Sequence, residues 1–452
     1  MRTLFGTDGI RGVANTYPMT PELALRVGRA VGYLFHREEG RRHKIIIGKD
    51  TRISGYVLEN ALTAGLCSMG VDVFLVAVSP TPTVAHLVRS FNADAGIMIS
   101  ASHNPFTDNG IKLFSRQGYK LPDEMEKRIE ELVLGDEIDN IRPTGKDVGK
   151  AFRIRDAVGR YIEFVKATLD PGTSFEGLKI AVDCANGAAY KISPMVLEEL
   201  DAQVVVIGNK PNGLNINDQV GSTHLEAVRQ VVLDHGCDLG IAHDGDADRT
   251  LFIDSDGNEV DGDQIMAICA LHLAERGQLA KNTLVTTVMS NLGLRLAMED
   301  AGIHTVQTQV GDRYVLETMR QHGYNLGGEQ SGHVIFLDHN TTGDGILTAL
   351  QVIQIVQHRG MPLKDLASRC MTRFPQILLN TQVKEKTPLE KMPAVMQAIH
   401  TAEHQLGKRG RVLVRYSGTE NKARVMVEGE NETEIRQLAE SIRNEIKAEI
   451  GS

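Results

Sequence analysis

The sequence predicts an α/β protein: three similar α/β domains followed by a smaller α+β domain. Three observations carry that prediction. A strand–helix–strand pattern occurs three times along the 452 residues. Each occurrence is followed by a short apolar approach to a loop dense in hydroxyls, carboxylates or both. After about residue 368 the pattern changes to strand, loop, strand and one long helix.

The first unit runs from Lys44 to Val76: IIIG as a strand, a Gly/Ser loop, YVLENALTAGLCSMG as a helix and VDVFLV as a strand. The second runs from Leu178 to Gly208: KIAVDCANG, a helix through MVLEEL, then AQVVVIG. The third runs from Leu284 to Gly311: LVTTVMSN, a helix through LRLAMEDAG, then IHTVQTQVG. In each, a short β-branched run gives way to helical spacing and returns. The approaches that follow are AGIMIS into ASHNP, DLGIAH into DGDADR, and YNLGG into EQSGH. Open α/β sheets bind ligands at the carboxyl ends of their strands, so these three loops are the expected site.

The intervening segments fit this plan. Residues 121–135 (LPDEMEKRIEELVLG) read as a charged surface helix, and residues 154–169 carry apolar residues at helical spacing. Asp261 to Arg276 reads as a further helix. The tail comprises strand VLVRY, loop SGTENK, strand ARVMVEG and helix TEIRQLAESIRNEIKAEI. About 150 residues per domain suggests two to four domains, and the expected ones are residues 1–153, 154–258, 259–368 and 369–452.

Composition removes several classes. Apolar residues make up 42% and charged residues 24%, which suits a globular chain with true cores. The net charge is −9, without the basic excess of a nucleic-acid binder. An anionic substrate would therefore need a locally basic site. The cysteines at 67, 184, 237, 269 and 370 are odd in number and form no C-x-x-C, as in a reduced intracellular protein. The first residues lack the apolar stretch of a signal peptide. No apolar run approaches the ~20 residues of a membrane span, so the cytoplasm is expected and no membrane or nucleic-acid partner is.

Four loops carry candidate chemistry. In Ser100-Ala101-Ser102-His103-Asn104-Pro105, the proline disfavours helix at Asn104 and breaks the strand into a loop. That loop sets a hydroxyl beside an imidazole, which could be an activated nucleophile, although the spacing alone fits an ordinary polar turn better. No G-x-S-x-G elbow supports a hydrolase. In Asp244-Gly245-Asp246-Ala247-Asp248-Arg249, alternate residues of an extended segment share a side, so three carboxylates can meet. Such a group repels itself unless a cation neutralises it, and hard oxygen ligands suit Mg²⁺ or Ca²⁺. An EF-hand is excluded, because its sixth position would be Arg249 and its twelfth Ser255.

Phe5-Gly6-Thr7-Asp8-Gly9-Ile10-Arg11-Gly12 packs three glycines around one arginine. Arg415-Tyr416-Ser417-Gly418-Thr419 and the following Glu420 to Arg424 combine hydroxyls and backbone N–H groups with two arginines, which suits a phosphate and also fits a hairpin turn. The chain contains no Walker A, no G-x-G-x-x-G and no H-E-x-x-H.

Taken together, FGTDGIRG, ISASHNP with DNGIKLF, DGDADR, GGEQSGH and RYSGTENKARVMVEG resemble the α-D-phosphohexomutase superfamily in order and spacing, from Phe5 to about Gly429. Within it the chain most resembles the bacterial phosphoglucosamine mutase branch. Pro211 to Asn217 (PNGLNIN) with Gly221-Ser222-Thr223, Gln330, and Asp261 to Met266 carry that resemblance. Tyr416-Ser417 and Asn421-Lys422 depart from it, since the family often has proline at one or both flanks.

The resemblance implies mixed sheets, with the four domains around a central cleft. It implies a phosphoserine at Ser102, with Mg²⁺ held by Asp244, Asp246, Asp248 and the Ser102 phosphate. Arg11, His103, Lys112, Arg249 and His333 would line the transfer site. Glu329 and Ser331 would contact the sugar, and Arg415, Ser417, Thr419 and Arg424 the distal phosphate. The reaction implied interconverts glucosamine 6-phosphate and glucosamine 1-phosphate through a 1,6-bisphosphate, which also serves as activator. Its product would feed amino-sugar nucleotide synthesis for the cell wall. A homodimer is compatible with the resemblance. The competing readings are the phosphomannomutase/phosphoglucomutase branch, a phosphatase with water as acceptor, and a non-catalytic sugar-phosphate sensor.

Overall fold

Ile45, Ile46 and Ile47 are all fully buried, so side-chain alternation fails there and the strand is covered on both faces. This is the signature of a layered α/β core. The computed structural model describes residues 4–6, 8–35, 42–417 and 421–451. Among the described residues the strands form four sheets. The chain divides into two compact units, one of Met1–Val288 and Ile303–Ser368, the other of Met289–Gly302 and Arg369–Ser452.

The first unit holds three sheets. One contains β1 (Phe5–Gly6), β2 (Gly9–Val13), β3 (Lys44–Lys49), β4 (Asp72–Val78), β5 (Ala95–Ile99), β6 (Asp108–Ser115) and β7 (Ala151–Arg153), ordered β1-β2-β6-β5-β3-β4-β7. The next contains β8 (Lys179–Asp183), β9 (Gln203–Ile207), β10 (Leu239–His243), β11 (Thr250–Asp254) and β12 (Glu259–Val260), ordered β12-β11-β10-β8-β9. The third contains β13 (Thr283–Thr287), β14 (His304–Thr308), β15 (Leu326–Gly328) and β16 (Val334–Phe336), ordered β14-β13-β15-β16.

A common motif lies inside all three: β6-β5-β3-β4, β11-β10-β8-β9 and β16-β15-β13-β14. In each, the last three strands are parallel and the first is antiparallel to its neighbour. The sheets are therefore mixed, and the threefold pattern read from sequence is a threefold topology. The turns β5–β6, β10–β11 and β15–β16 are equivalent, and they contain ASHNP, DGDADR and EQSGH. No helix among the described residues is long and apolar enough to cross a membrane, and no disulfide joins the five cysteines.

The helix Asp123–Leu134 is the charged surface helix expected, with Asp123, Glu124, Lys127 and Glu131 exposed, and it has a buried face as well. Its Ile129, Leu132 and Val133 join the first sheet's core. Glu130 is buried because its Oε2 accepts from the backbone N–H groups of Leu4 and Phe5, at 3.0 and 3.3 Å. Glu126 is buried against Arg313 at 3.0 Å. Paired carboxylates can be buried where lone ones cannot, which is why a charged sequence hides an inward face here.

The second unit contains the antiparallel sheet β17 (Gln376–Gln382), β18 (Gly410–Tyr416) and β19 (Lys422–Gly429), ordered β17-β19-β18. Helices Pro393–Leu406 and Glu432–Ile450 pack Val395, Ile399, Ile435, Ile442 and Ile446 against Val425 and Val427. Helix Leu292–Asp300 also belongs to this unit. Its cap residue Asn291 donates to Phe374 O at 3.0 Å and to the buried Glu428 at 3.3 Å.

Candidate active site

The backbone places Ser102 in an uncommon state. Its φ is +51°, in the left-handed region that costs any residue with a Cβ. Leaving β5, Ser100 N donates to Gly110 O at 3.1 Å and Ser102 N donates to Ser100 Oγ at 2.9 Å. Ser100 Oγ in turn donates to Asp50 Oδ2 at 2.7 Å. These bonds turn the Ser102 side chain off the strand. Its hydroxyl donates to Asp244 Oδ2 at 2.6 Å and lies 3.3 Å from His103 Nδ1.

Close backbone contact brings the carboxylate loop to that point. A Cβ at Gly245 would stand 2.5 Å from Ser102 O, so only glycine admits the approach. Asp244, Asp246 and Asp248 are buried, and one ligand atom from each lies within 4.8 Å of the others. Thr81 donates to Asp246 Oδ2 at 2.6 Å and Lys112 Nζ to the same oxygen at 2.7 Å. The buried Asp246 Oδ1 and Asp248 Oδ1 have no hydrogen-bond partner among the described residues. Buried carboxylates brought together with oxygens left unpartnered are what a hard divalent cation requires. Burial, then repulsion from Asp248 and Asp246, pushes the Asp244 carboxyl well above its ordinary range, and a bound cation would relieve both. The residues present fit a divalent metal site.

Positive charge encloses the other side. Burial alone would lower Lys112, yet Asp246, Asp8 and Asp248 raise it well above the usual ammonium range. Burial would raise Asp248, yet Lys112 and His333 bring it well below the usual range. Burial, with the cations of Arg249 and Arg11, presses the His103 imidazole down to about 4, leaving it neutral near pH 7. Arg249 N donates to Asp244 Oδ1 at 3.2 Å.

The third loop completes the set. His333 lies 3.6 Å from Asp248 Oδ1 and 3.5 Å from Asp312 Oδ2. Burial would lower this imidazole, but Asp248 and Asp312 raise it. Glu329 is half-buried, and its Oε1 accepts from Gly311 N at 3.0 Å. Ser331 is half-buried in the same turn. This turn sits on the N-terminus of helix Gly262–Glu275, where Asp261 and Gln264 form a capping box. A Cβ at Gly262 would meet Glu329 O at 2.2 Å, which gives the Asp261-Gly262-Asp263-Gln264 run a physical role.

Ser102, His103, Lys112, the three aspartates, Arg249 and His333 are thus brought together, and Arg11 joins them through Asp8. The sequence reading missed Asp8, Lys120 and Asp312. Lys120 pairs with both acids, tying the first sheet's edge to helix Asp312–His322. Only Asp8 carried any signal, as the acid inside FGTDGIRG.

In the second unit, Arg415 and Arg424 stand opposite each other in the β18–β19 register. Burial, then the Arg424 charge, lowers the Arg415 guanidinium. Like charges directly opposed destabilise a sheet, and a bound anion relieves them. Ser417 is buried at the end of β18, its N–H donating to Lys422 O at 2.8 Å. Thr419 lies outside the described residues.

Comparison with known proteins agrees in order along the chain. Four family models match: phosphoglucomutase/phosphomannomutase alpha/beta/alpha domain I at residues 2–138, domain II at 159–257, domain III at 261–374 and the C-terminal domain at 378–445. Two structures share the fold over 99% of this chain. A Burkholderia thailandensis phosphoglucomutase/phosphomannomutase family protein does so over 98% of its own length, with TM-score 0.81 and 22% identity. An Aspergillus fumigatus N-acetylphosphoglucosamine mutase, solved with GlcNAc-6P and magnesium, does so over 96% of its length, with TM-score 0.69 and 19% identity. At those identities the likeness is one of fold alone. Sequence relatives go further. Phosphoglucosamine mutases of Syntrophotalea carbinolica and Geobacter metallireducens are each 56% identical, over 100% of this chain and 98% and 100% of theirs. Identity at that level over the whole of this chain and nearly the whole of theirs means that this chain belongs to the phosphoglucosamine mutases, a family of phosphohexomutase enzymes.

Proposed function

We propose that the protein interconverts glucosamine 6-phosphate and glucosamine 1-phosphate, with Ser102 as the phosphoryl carrier. The observation that supports this best is the Ser102 hydroxyl 2.6 Å from Asp244 within the carboxylate group. A serine there, once phosphorylated, is a donor held ready beside a cation site.

Asp244, Asp246 and Asp248 would hold Mg²⁺, with the Ser102 phosphate as a further oxygen ligand. An ion held there would supply neutralisation of charge on the transferring group. The protein's own groups do the rest. A free sugar hydroxyl attacks the phosphorus of phospho-Ser102; the new sugar O–P bond forms as the P–Oγ bond breaks. The sugar hydroxyl loses its proton and Ser102 Oγ gains one, with neutral His103 the imidazole at that oxygen. Lys112, Arg11 and Arg249 stabilise the charge spread over the transferring oxygens. The resulting 1,6-bisphosphate turns over, and its other phosphate returns to Ser102. Glu329 and Ser331 would grip the sugar hydroxyls in both orientations. The pair Arg415 and Arg424, with Ser417 and Thr419, would take the phosphate that is not reacting.

The cytoplasm would suit this activity, since five unpaired cysteines fit a compartment where thiols stay reduced. A coupled assay tests the reading: turnover on glucosamine 6-phosphate with Mg²⁺ and a sugar 1,6-bisphosphate, beside glucose and mannose phosphates. Fastest turnover on the amino sugar is expected. Preference for mannose or glucose phosphate would move the chain to the sister activity, and release of inorganic phosphate alone would make it a phosphatase.

A further inference from the structure

Arg52 is among the largest fully buried side chains of the described residues, and every N–H of its guanidinium is used. Nε donates to Asp50 Oδ2 at 2.8 Å. Nη2 donates to Ser102 O at 2.9 Å and Asn104 O at 2.8 Å. Nη1 donates to Asp108 O at 3.1 Å and to Pro105 O. The carbonyls of the Ser102 loop therefore point inward at one cation.

Two of those carbonyls receive a second donor from the second sheet's domain. Asn217 Nδ2 reaches Ser102 O at 2.9 Å and Asn104 O at 3.0 Å. Asn217 is 7% exposed and lies at φ +58°, a state asparagine adopts more easily than most residues. It ends the Pro211–Asn217 run, whose Gly213 O accepts from Ile53 N at 3.0 Å, beside Arg52. The same Cβ-free space at Gly245 that admits Ser102 O also admits this amide, whose Nδ2 would stand 2.9 Å from a Cβ there.

We propose that Arg52 and Asn217 form a carbonyl clamp that positions Ser102 for phosphoryl transfer. They are positioning residues: neither touches the hydroxyl, but together they hold the backbone that aims it. A left-handed serine persists only where its surroundings over-determine it, and two donors on each of two carbonyls do so here. The clamp also brings a phosphorylated Ser102 back to the same position after each half-reaction. The PNGLNIN run thereby gains a function, as the side of the clamp contributed by the domain that carries the aspartates. This proposal rests on Ser102 being the phosphoryl carrier.

The test is Asn217→Gly, which keeps the left-handed backbone available and removes both amide donors. Single-turnover transfer from phosphorylated enzyme to sugar phosphate is measured beside KM, with hydrogen exchange at the amides of residues 101–109. The clamp predicts transfer slowed about tenfold or more, since small misplacements of a reacting group cost up to ~10²-fold. KM should barely move, and the loop amides should exchange faster. Unchanged transfer, or a loss that only tracks loss of folded protein by circular dichroism, overturns the clamp. Ser102→Ala serves as the separating control. If it is inactive while Asn217→Gly is normal, the carrier stands and the clamp falls; if it turns over normally, both fall.

Discussion

Ser102 Oγ and Asp244 Oδ2 lie 2.6 Å apart although 142 residues separate them in the chain. One comes from the turn after β5 and the other from the equivalent turn after β10, so topology makes the contact. A neutral hydroxyl can rest beside that carboxylate as a donor. A phosphate on the same oxygen would be repelled by it, and a cation between them would turn repulsion into shared ligation.

Metal removal is therefore expected to stop turnover, with Mg²⁺ the best restorer. Asp246→Asn removes one ligand charge and leaves Thr81 and Lys112 facing an amide in place of a carboxylate. Loss of at least about a hundredfold in kcat is expected, on the scale of removing one preorganised electrostatic group. Activity assays after exhaustive chelation, with metals added back singly, check this. Full activity without added metal would contradict it.

Arg424→Ala should weaken both directions of the reaction. A desolvated guanidinium–phosphate contact is charge-assisted and often bidentate, and losing it costs about 1.5–3 kcal/mol. Steady-state kinetics from the 1-phosphate and the 6-phosphate ends read the effect. A loss confined to one direction would refute a clamp shared by either phosphate.

Glu329→Gln bears on substrate choice. Its carboxylate is half-buried and anchored by Gly311 N at 3.0 Å, so the change alters charge more than shape. Loss of a charged acceptor at the sugar costs about 1.5–3 kcal/mol. That loss should fall on glucosamine 1-phosphate and glucose 1-phosphate alike, with amino-sugar preference coming from neighbours such as Gln330 and Ser331. Comparison of kcat/KM for the two sugars decides it; a loss on the amino sugar alone would make Glu329 the specificity residue.

How far the sequence revealed this site depends on what each residue interacts with. ASHNP, DGDADR and EQSGH were legible because each closes a short apolar strand and is itself a dense run of chemistry-bearing residues. Lys120 and Asp312 were not, because their pairing spans 192 residues and neither sits in a patterned run. Thr81 and Arg52 look like ordinary loop and helix-start residues until the fold brings Asp246 and the Ser102 loop onto them. In the tail, strand Gln376–Gln382 and helix Pro393–Leu406 went unread. That strand buries only Ile377 and alternates half-buried with exposed residues over a short span after Pro375, a weak signal until β19 pairs with it.

Turnover of Ser102→Ala in the coupled glucosamine phosphate assay, with Mg²⁺ and bisphosphate activator present, tests the phosphoryl carrier most directly. Alanine deletes the oxygen that would carry the phosphate and leaves Arg52, Asn217 and the loop carbonyls in place. Mutase turnover at background, from protein with wild-type circular dichroism, is the predicted result. Near-normal turnover would mean that the phosphoryl group travels by another route and that Ser102 is not its carrier.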